Sequence, residues 1–123
     1  MAIEFDDADF DVSDWRITYG DSSEIEFDLE DNTAFVKVIN ASPSGYGIGT
    51  ELCERFEKLA IAAGYEHVEV PCSLTSEALC FWTAMGYDLQ NKRERRKMDW
   101  IIEHDREPPN EMQGIILLKK RLI

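Results

Sequence analysis

Hydrophobic and polar residues alternate along two neighbouring stretches in the N-terminal half of the chain. Every second residue of 24–30 is apolar, which predicts a half-buried β-strand. Asp31-Asn32 is typical of a hairpin turn, and the β-branched and aromatic residues 33–39 predict the antiparallel return strand. A shorter alternation predicts a strand over residues 15–19, whereas the acidic residues 1–13 predict a loosely ordered arm or a short helix.

The hydrophobic pattern then changes to the spacing of helices. Residues 50–63 carry apolar side chains one, three and four positions apart, which predicts an amphipathic helix that ends at Gly64. A second helix is predicted over residues 76–85, with Ser73 or Thr75 as its N-cap and a glycine directly after it.

Further strands are predicted around the second helix. Residues 67–72 and 87–89 precede and follow that helix, and a buried strand over 114–122 closes the chain. Residues 90–113 follow no clear period and are interpreted as an irregular or inserted segment. This order of elements predicts that the chain, 1–123, is a single α/β domain with a mixed sheet flanked by helices.

The charge distribution limits the classes of partner. The net charge of −12 opposes binding to the phosphates of nucleic acids. No apolar run approaches the roughly 18 residues that a membrane span needs, and the acidic N-terminus is unlike a signal peptide, so a cytoplasmic location is expected. The basic residues 91–97 reverse the sign locally and are either a solvated face or a contact for an anionic ligand or partner.

The three cysteines, Cys53, Cys72 and Cys80, have a spacing that matches no zinc pattern, so no metal site is expected. All three lie in apolar segments, which favours buried free thiols. Cys72 differs from the others because it ends a predicted strand.

A glycine-rich loop precedes the first predicted helix, with the sequence Ser44-Gly45-Tyr46-Gly47-Ile48-Gly49. Alternate glycines let a ligand approach the main chain, and the N–H groups at a helix N-terminus favour a diphosphate. A plain strand-to-helix turn is the alternative. The loop is not a P-loop, because Gly49 is followed by Thr50-Glu51 without a lysine, and its glycine spacing does not fit the dinucleotide-binding fingerprint.

The loop and a downstream segment together resemble the GNAT (GCN-five-related N-acetyltransferase) superfamily. Residues 44–52 resemble its acetyl-CoA-binding motif, Arg/Gln-x-x-Gly-x-Gly/Ala at the start of a helix, and residues 75–87 are similar to its later motif of Ala, an aromatic pair and Gly-Phe/Tyr. Residues 115–122 are similar to its last strand. The resemblance covers residues 24–122 and implies the acyl-CoA N-acyltransferase fold with a mostly antiparallel sheet, in a short or divergent member whose N-terminal part, residues 1–20, is reduced to an acidic arm.

The resemblance implies that acetyl-CoA, or another acyl-CoA, binds to the core formed by residues 24–89. The residues that it places beside the cofactor lie on the return strand, in the glycine loop and around the second helix. They are Val38, Ile39 and Asn40 along the pantetheine arm, Ser44, Gly45, Tyr46, Gly47, Ile48, Gly49 and Thr50 at the diphosphate, and Thr75 and Trp82.

Several positions depart from the family pattern. Ser44 stands where the family has Arg or Gln, Thr75 replaces a frequent asparagine, and Trp82 lies where the family often has a tyrosine as general acid. An indole N–H cannot deliver a proton at neutral pH. His67 and Glu69 share one face of their predicted strand and are candidates for a general base that acts through a water.

Two functions remain open from the sequence. The first is an N-acyltransferase that moves an acetyl group from acetyl-CoA to an amine of a small molecule or protein. In this enzyme Cys72 could protonate the thiolate or carry the acyl group, and the acidic residues 1–31 favour a cationic acceptor. The stretch before Glu24 is too short for the two helices that usually wall the acceptor site. The acceptor side is therefore open, or built by residues 1–20 or 90–113, or completed by a partner chain, as in a homodimer. The alternative is a non-catalytic module that binds CoA or a protein partner through its acidic surface.

Overall fold

Strands and helices follow one another in the predicted order. The computed structural model describes residues 4–42, 45–106, 109 and 115–123, and these contain seven strands and three α-helices. In chain order they are β1 (Phe10–Ser13), β2 (Arg16–Tyr19), β3 (Ser23–Glu30), β4 (Thr33–Asn40), α1 (Ile48–Ala62), β5 (His67–Cys72), α2 (Ser76–Ala84), β6 (Asp88–Leu89), α3 (Arg95–His104) and β7 (Ile116–Arg121). Short 3₁₀ helices lie at Asp7–Asp9 and Lys92–Glu94.

The contacts group the chain into two units, the first of which extends to Val68 and includes Arg121–Ile123. It contains the antiparallel order β1-β2-β3-β4. Helix α1 packs on this sheet through the ring of Phe56, whose centroid lies 5.0 Å from that of Phe27. The buried face of α1 follows the apolar stripe seen in the sequence and consists of Ile48, Leu52, Cys53, Phe56, Glu57 and Ala60.

The N-terminal residues are attached to α1 by one arginine. Arg55 Nη1 lies 2.8 Å from the carboxylate of Asp7, and its guanidinium carbon lies 3.8 Å from the ring centroid of Phe10. These contacts and the pairing of β1 with β2 give residues 10–13 a strand, where the sequence indicated a loose arm or a short helix. Among the described residues 4–13, the helical part is the 3₁₀ turn Asp7–Asp9.

Strand β4 contains a β-bulge. Val36 pairs with Phe27 and Val38 pairs with Glu26, so Lys37 is an extra residue without a partner on β3. In a regular strand Val38 would follow Ala34 and Val36 onto the buried face. The extra residue reverses this alternation, so that Val38 is exposed and Ile39, opposite Ile25, lies on the core side.

The second unit comprises Glu69–Lys120 and contains most of β5. Its strands have the order β5-β7-β6, and β6 and β7 are antiparallel. Its core is formed by apolar residues of the three strands and of α2 and α3, namely Val70, Leu79, Trp82, Leu89, Met98, Ile101, Ile116 and Leu118. Helix α3 lies in the segment 90–113, which the sequence indicated to be irregular.

Most elements agree with the sequence prediction. The strands form a mixed, mostly antiparallel sheet flanked by helices, which is the predicted fold class. Strand β5 has the predicted bounds, and the other predicted elements differ from the observed ones by one or two residues at their ends. In the part of the chain that the structure describes, no helix is long and apolar enough to cross a bilayer.

Candidate functional site

The chain that leads from β4 towards α1 is fixed by a buried serine. Ser23 is 3% exposed and bonds to the backbone of Ser42 in both directions. The N–H of Ser42 donates to Ser23 Oγ at 2.9 Å, and Ser23 Oγ donates to the carbonyl of Ser42 at 3.1 Å. Pro43 and Ser44 lie outside the described residues, so the prediction for Ser44 stays a prediction.

The glycine loop has the backbone conformation that its sequence suggests. Gly45 and Gly47 have φ angles of +85° and +82°, which residues with a Cβ rarely adopt. Apart from each glycine and its two neighbours in the chain, no heavy atom of the described residues lies within 4 Å of the position that a Cβ would take at Gly45 or Gly47. The loop is therefore open on the side where Gly45 and Gly47 would carry a Cβ. Tyr46, between the two glycines, is 45% exposed.

Helix α1 begins without a side-chain cap. Gly47 is its N-cap residue and has no side chain that could accept a hydrogen bond from the first turn. The N–H groups of a first turn have no acceptor inside the helix and carry the positive end of the helix dipole. Glu51, the acidic residue in this turn, accepts a hydrogen bond from Arg55 Nε at 2.9 Å. The helix start thus presents N–H donors beside a glycine backbone, a combination that suits an anionic group.

The last residues of β4 lie just before this loop in sequence. Val38 is 39% exposed, Ile39 is half-buried, and Asn40 is exposed. The bulge at Lys37 therefore turns one apolar side chain, Val38, onto the open face of the sheet. An apolar strand end followed by a polar helix start fits a ligand with an apolar arm and a diphosphate.

The predicted residues around α2 have structural roles in the second unit. Thr75 caps α2, because its Oγ1 accepts a hydrogen bond from the N–H of Ala78 at 3.2 Å. Trp82 is 3% exposed, and its ring makes edge contacts with Phe81 and Tyr87 at centroid distances of 5.0 and 4.9 Å. These contacts make Trp82 part of the core.

The candidate acid–base residues all lie on β5. His67 and Glu69 are half-buried on the face opposite to Val68 and Val70, and Glu69 accepts a hydrogen bond from Gln90 Nε2 at 3.3 Å. Cys72 is 1% exposed and donates its S–H to the carbonyl of Ser73 at 3.3 Å. Burial raises the pKa of the Cys72 thiol to about 12, so it stays protonated at neutral pH.

Several solved structures share their fold with this chain. A candidate N-acetyltransferase from Lactobacillus plantarum matches 83% of this chain over 61% of its own length, at 16% identity and a TM-score of 0.60. The ribosomal-protein-S18-alanine N-acetyltransferase from Escherichia coli matches 87% of the chain over 66% of its own, at 12% identity and a TM-score of 0.61. No family model matches the sequence, and no curated protein matches it.

A third similar structure is N-acetylglutamate synthase from Neisseria gonorrhoeae, complexed with coenzyme A and N-acetyl-glutamate. It matches 83% of this chain over 23% of its own length, at 15% identity and a TM-score of 0.56. The chain has the GNAT acyltransferase fold. It spans less than two thirds of the length of each of these GNAT structures.

Three features of the first unit were not found from the sequence. Ser23 lies at the start of β3, and only its burial and its hydrogen bonds show that it holds Ser42. The bulge at Lys37 is not marked by any residue type, because the apolar and polar residues of β4 are also compatible with a regular strand. Trp15 has a φ of +64° in the turn between β1 and β2. Glycine or asparagine usually occupies this conformation, so a tryptophan there does not indicate a turn.

Proposed function

We propose that this chain binds acetyl-CoA, or a related acyl-CoA, at the glycine loop and transfers the acyl group to an amine. The observation that carries the proposal is the left-handed backbone of Gly45 and Gly47 at the start of a helix without a side-chain cap. The GNAT fold supports the same reaction class, and a solved structure with this fold contains coenzyme A.

In this proposal the diphosphate is held by main-chain N–H groups of residues 46–50. No Cβ occupies the space above Gly45 and Gly47, and the helix dipole favours the negative charge. Val38 contacts the pantetheine arm with its side chain, and Ile39, whose side chain lies on the core side, contacts it through the backbone. Asn40 offers the arm polar groups at the end of β4. Ser44 replaces the Arg or Gln of the family motif, so backbone donors carry a larger share of the binding than usual.

Bound acetyl-CoA supplies a thioester, whose C–S bond breaks as the C–N bond to the acceptor forms, and the departing thiolate takes up a proton. The chain must orient a neutral amine and remove one proton from its nitrogen. Glu69 or His67 accepts that proton through a water in our proposal, since both are half-buried on one face of β5. Much of the rate enhancement then comes from positioning, which in favourable systems is worth about 7–11 kcal/mol.

Calorimetric titration with acetyl-CoA, followed by detection of free thiol, tests the proposal. We expect saturable binding, and thiol release when a polyamine or a lysine peptide is added. The same titration with pantetheine is a control, because this molecule lacks the diphosphate and should bind much more weakly. Absence of acetyl-CoA binding by the folded protein would refute the proposal.

A non-catalytic CoA-binding module is the second candidate. It is favoured by the residues at two positions where the sequence suggests a proton donor, because an indole cannot deliver a proton at neutral pH and a thiol with a raised pKa delivers one less readily. Trp82 is buried in the core, and Cys72 is buried with a pKa raised to about 12. Binding of acetyl-CoA without thiol release, over the whole acceptor panel and between pH 6 and 9, would favour this module over the enzyme.

A further inference from the structure

A groove lies beside the turn between β1 and β2, entirely within the first unit. Its volume is about 460 Å³, within the usual range of small-ligand sites. We call it the hairpin groove. It is lined by Ser13, Asp14, Trp15, Arg16, Glu26, Phe27, Asp28 and Lys37.

An aromatic ring at the groove is held in place and is half open to solvent. Trp15 is 50% exposed, although its ring also makes an edge contact with Phe27 at a centroid distance of 6.3 Å. The backbone of Trp15 is fixed as well, because its carbonyl accepts a hydrogen bond from the N–H of Phe27 at 2.9 Å. The groove therefore contains a large π surface that is half open to solvent and contacts Phe27.

The charges at the groove leave two carboxylates without a cation. Arg16 forms ion pairs with Glu26 and, at 3.0 Å, with Glu24. Within the described residues no ion pair joins Asp14 or Asp28 to a cation, and Asp28 is half-buried. Asp28 Oδ1 accepts a hydrogen bond from the N–H of Leu29, so its other oxygen has room for a further donor. Lys37 is the second cation at the groove and lies at its exposed edge.

The groove also adjoins the strand that we assign to the pantetheine arm. Glu26 lines the groove and is the direct cross-strand partner of Val38. Residues that pair directly across two strands project from the same face of the sheet. The groove and the exposed side chain of Val38 therefore share one face.

We infer that the hairpin groove binds an organic cation, namely an ammonium or guanidinium group that the amine acceptor carries in addition to the amine to be acylated. The indole of Trp15 offers a cation–π surface, for which Trp is the best of the aromatic side chains. Asp14 and Asp28 supply charge and hydrogen-bond acceptors. The inference rests on the proposed transferase function for the identity of the ligand, but the binding itself can be measured without acetyl-CoA.

Spermidine is a suitable probe, titrated calorimetrically into the full chain at low salt. Trp15→Asn removes the ring while asparagine tolerates the positive φ, and Asp28→Asn removes one charge of the groove. We expect each variant to weaken spermidine binding about tenfold. Asp11→Asn is the matched control, because it removes one exposed negative charge outside the groove, and it should weaken binding less than about twofold.

Lys37→Gln gives a result in the opposite direction. Removal of the cation at the edge of the groove should tighten spermidine binding several-fold, which loss of folding cannot imitate. Equal effects of Asp28→Asn and Asp11→Asn would overturn the inference, because they would indicate attraction by net charge alone. Unchanged binding in Trp15→Asn would also overturn it.

The inference and the proposed function can fail separately. Groove-dependent spermidine binding without acetyl-CoA binding would support the groove and refute the transferase. Thiol release with spermidine would support the transferase. If the KM for spermidine were the same in wild type, Trp15→Asn and Asp28→Asn, the groove would be refuted. A raised KM in the two variants, with kcat little changed, is the result expected if both are right.

Discussion

Two connections from a strand to a helix can be compared in this chain, β4 to α1 in the first unit and β5 to α2 in the second. Helix α2 starts at Thr75, whose hydroxyl accepts a hydrogen bond from its first turn. Helix α1 starts at Gly47, which offers no such group. A glycine N-cap is about as favourable to a helix as a threonine N-cap, so α1 gives up at most about a few tenths of a kcal/mol relative to α2. In exchange its first-turn N–H groups stay available to a ligand.

The segments before the two helices are held differently as well. Ser23, on another strand, bonds to both backbone groups of Ser42 ahead of α1. Ahead of α2, Cys72 donates its S–H to the carbonyl of Ser73, and the first residue of the helix, Ser76, donates its hydroxyl to Asp105. The contact at Ser42 extends the pairing of β3 and β4 beyond Asn40, whereas the contact of Cys72 is with its own neighbour in the chain. The comparison supports our proposal that the approach to α1 is positioned for binding, and it leads us to expect that the start of α2 serves stability.

Among the changes that test this comparison, Gly47→Glu should have the largest effect, and the effect is on acetyl-CoA affinity. The new side chain strains a backbone at φ +82° and brings a negative charge to the proposed diphosphate site, so acetyl-CoA affinity should fall more than about 100-fold, or about 2.7 kcal/mol. Gly64→Glu is the matched control, because Gly64 has a φ of +90° and equally open space at its Cβ position. Both variants should lose about 1–2 kcal/mol of stability, and Gly64→Glu should keep its affinity in calorimetry.

Ser23→Ala should have the next largest effect. It leaves the N–H and the carbonyl of Ser42 without their partner, which should cost about 2 kcal/mol of unfolding free energy in urea denaturation. Acetyl-CoA affinity should also fall several-fold, because the approach to the loop is less restrained. Ser22→Ala, at an exposed neighbouring position, should change neither value. A stable Ser23→Ala with normal affinity would contradict the positioning role.

Thr75→Ala should destabilise the chain without touching the ligand. Loss of the cap hydrogen bond to Ala78 should lower the free energy of unfolding by about 1 kcal/mol. Thr50→Ala, at an exposed position in the first turn of α1, should change it by less than about 0.5 kcal/mol. If Thr75→Ala weakened acetyl-CoA binding, the assignment of a purely structural role to the start of α2 would be wrong.

The smallest expected effect concerns pH. Burial raises the pKa of Cys72 from 9.0 to about 12. Between these values the unfolded chain releases a proton that the folded chain retains, so the stability present below pH 9 is lost as the pH rises towards 12. The loss attributable to Cys72 should be about 0.8 kcal/mol at pH 9.5.

Urea denaturation at pH 7.5 and 9.5 measures this effect. Cys72→Ala should remove that part of the pH dependence, and Cys80→Ala, which replaces an exposed thiol, should retain it. An identical pH dependence in the wild type and Cys72→Ala would show that the thiol ionises in the folded chain as readily as in the unfolded one.

The elements that could be predicted from the sequence have a clear local pattern. The stripe of α1, the alternation of β3 and the glycines after both of the first helices, at φ +90° and +95°, all express a period or a backbone preference that one residue type satisfies. The loop at Gly45 and Gly47 is of the same kind, because glycine permits the positive φ angles that the backbone adopts there.

The elements that were missed depend on contacts between distant residues. Helix α3 buries only Met98 and Ile101 among many charges, too few apolar positions to reveal a helical period. Strand β1 is ordered by pairing with β2 and by Arg55 on α1, which no local pattern of residues 10–13 announces. Nor does the sequence show that the core encloses Trp82, since an aromatic pair on a short helix can face either way.

The unequal exposure of Trp15 and Trp82 gives each unit its own optical reporter. Trp15 is half open to water in the first unit, and Trp82 is 3% exposed in the second. The emission of Trp15 should therefore lie at longer wavelength and be quenched readily by acrylamide, whereas that of Trp82 should be blue-shifted and protected. With Trp100 replaced by Phe, the two bands allow the denaturation of each unit to be followed in one sample without any attached dye.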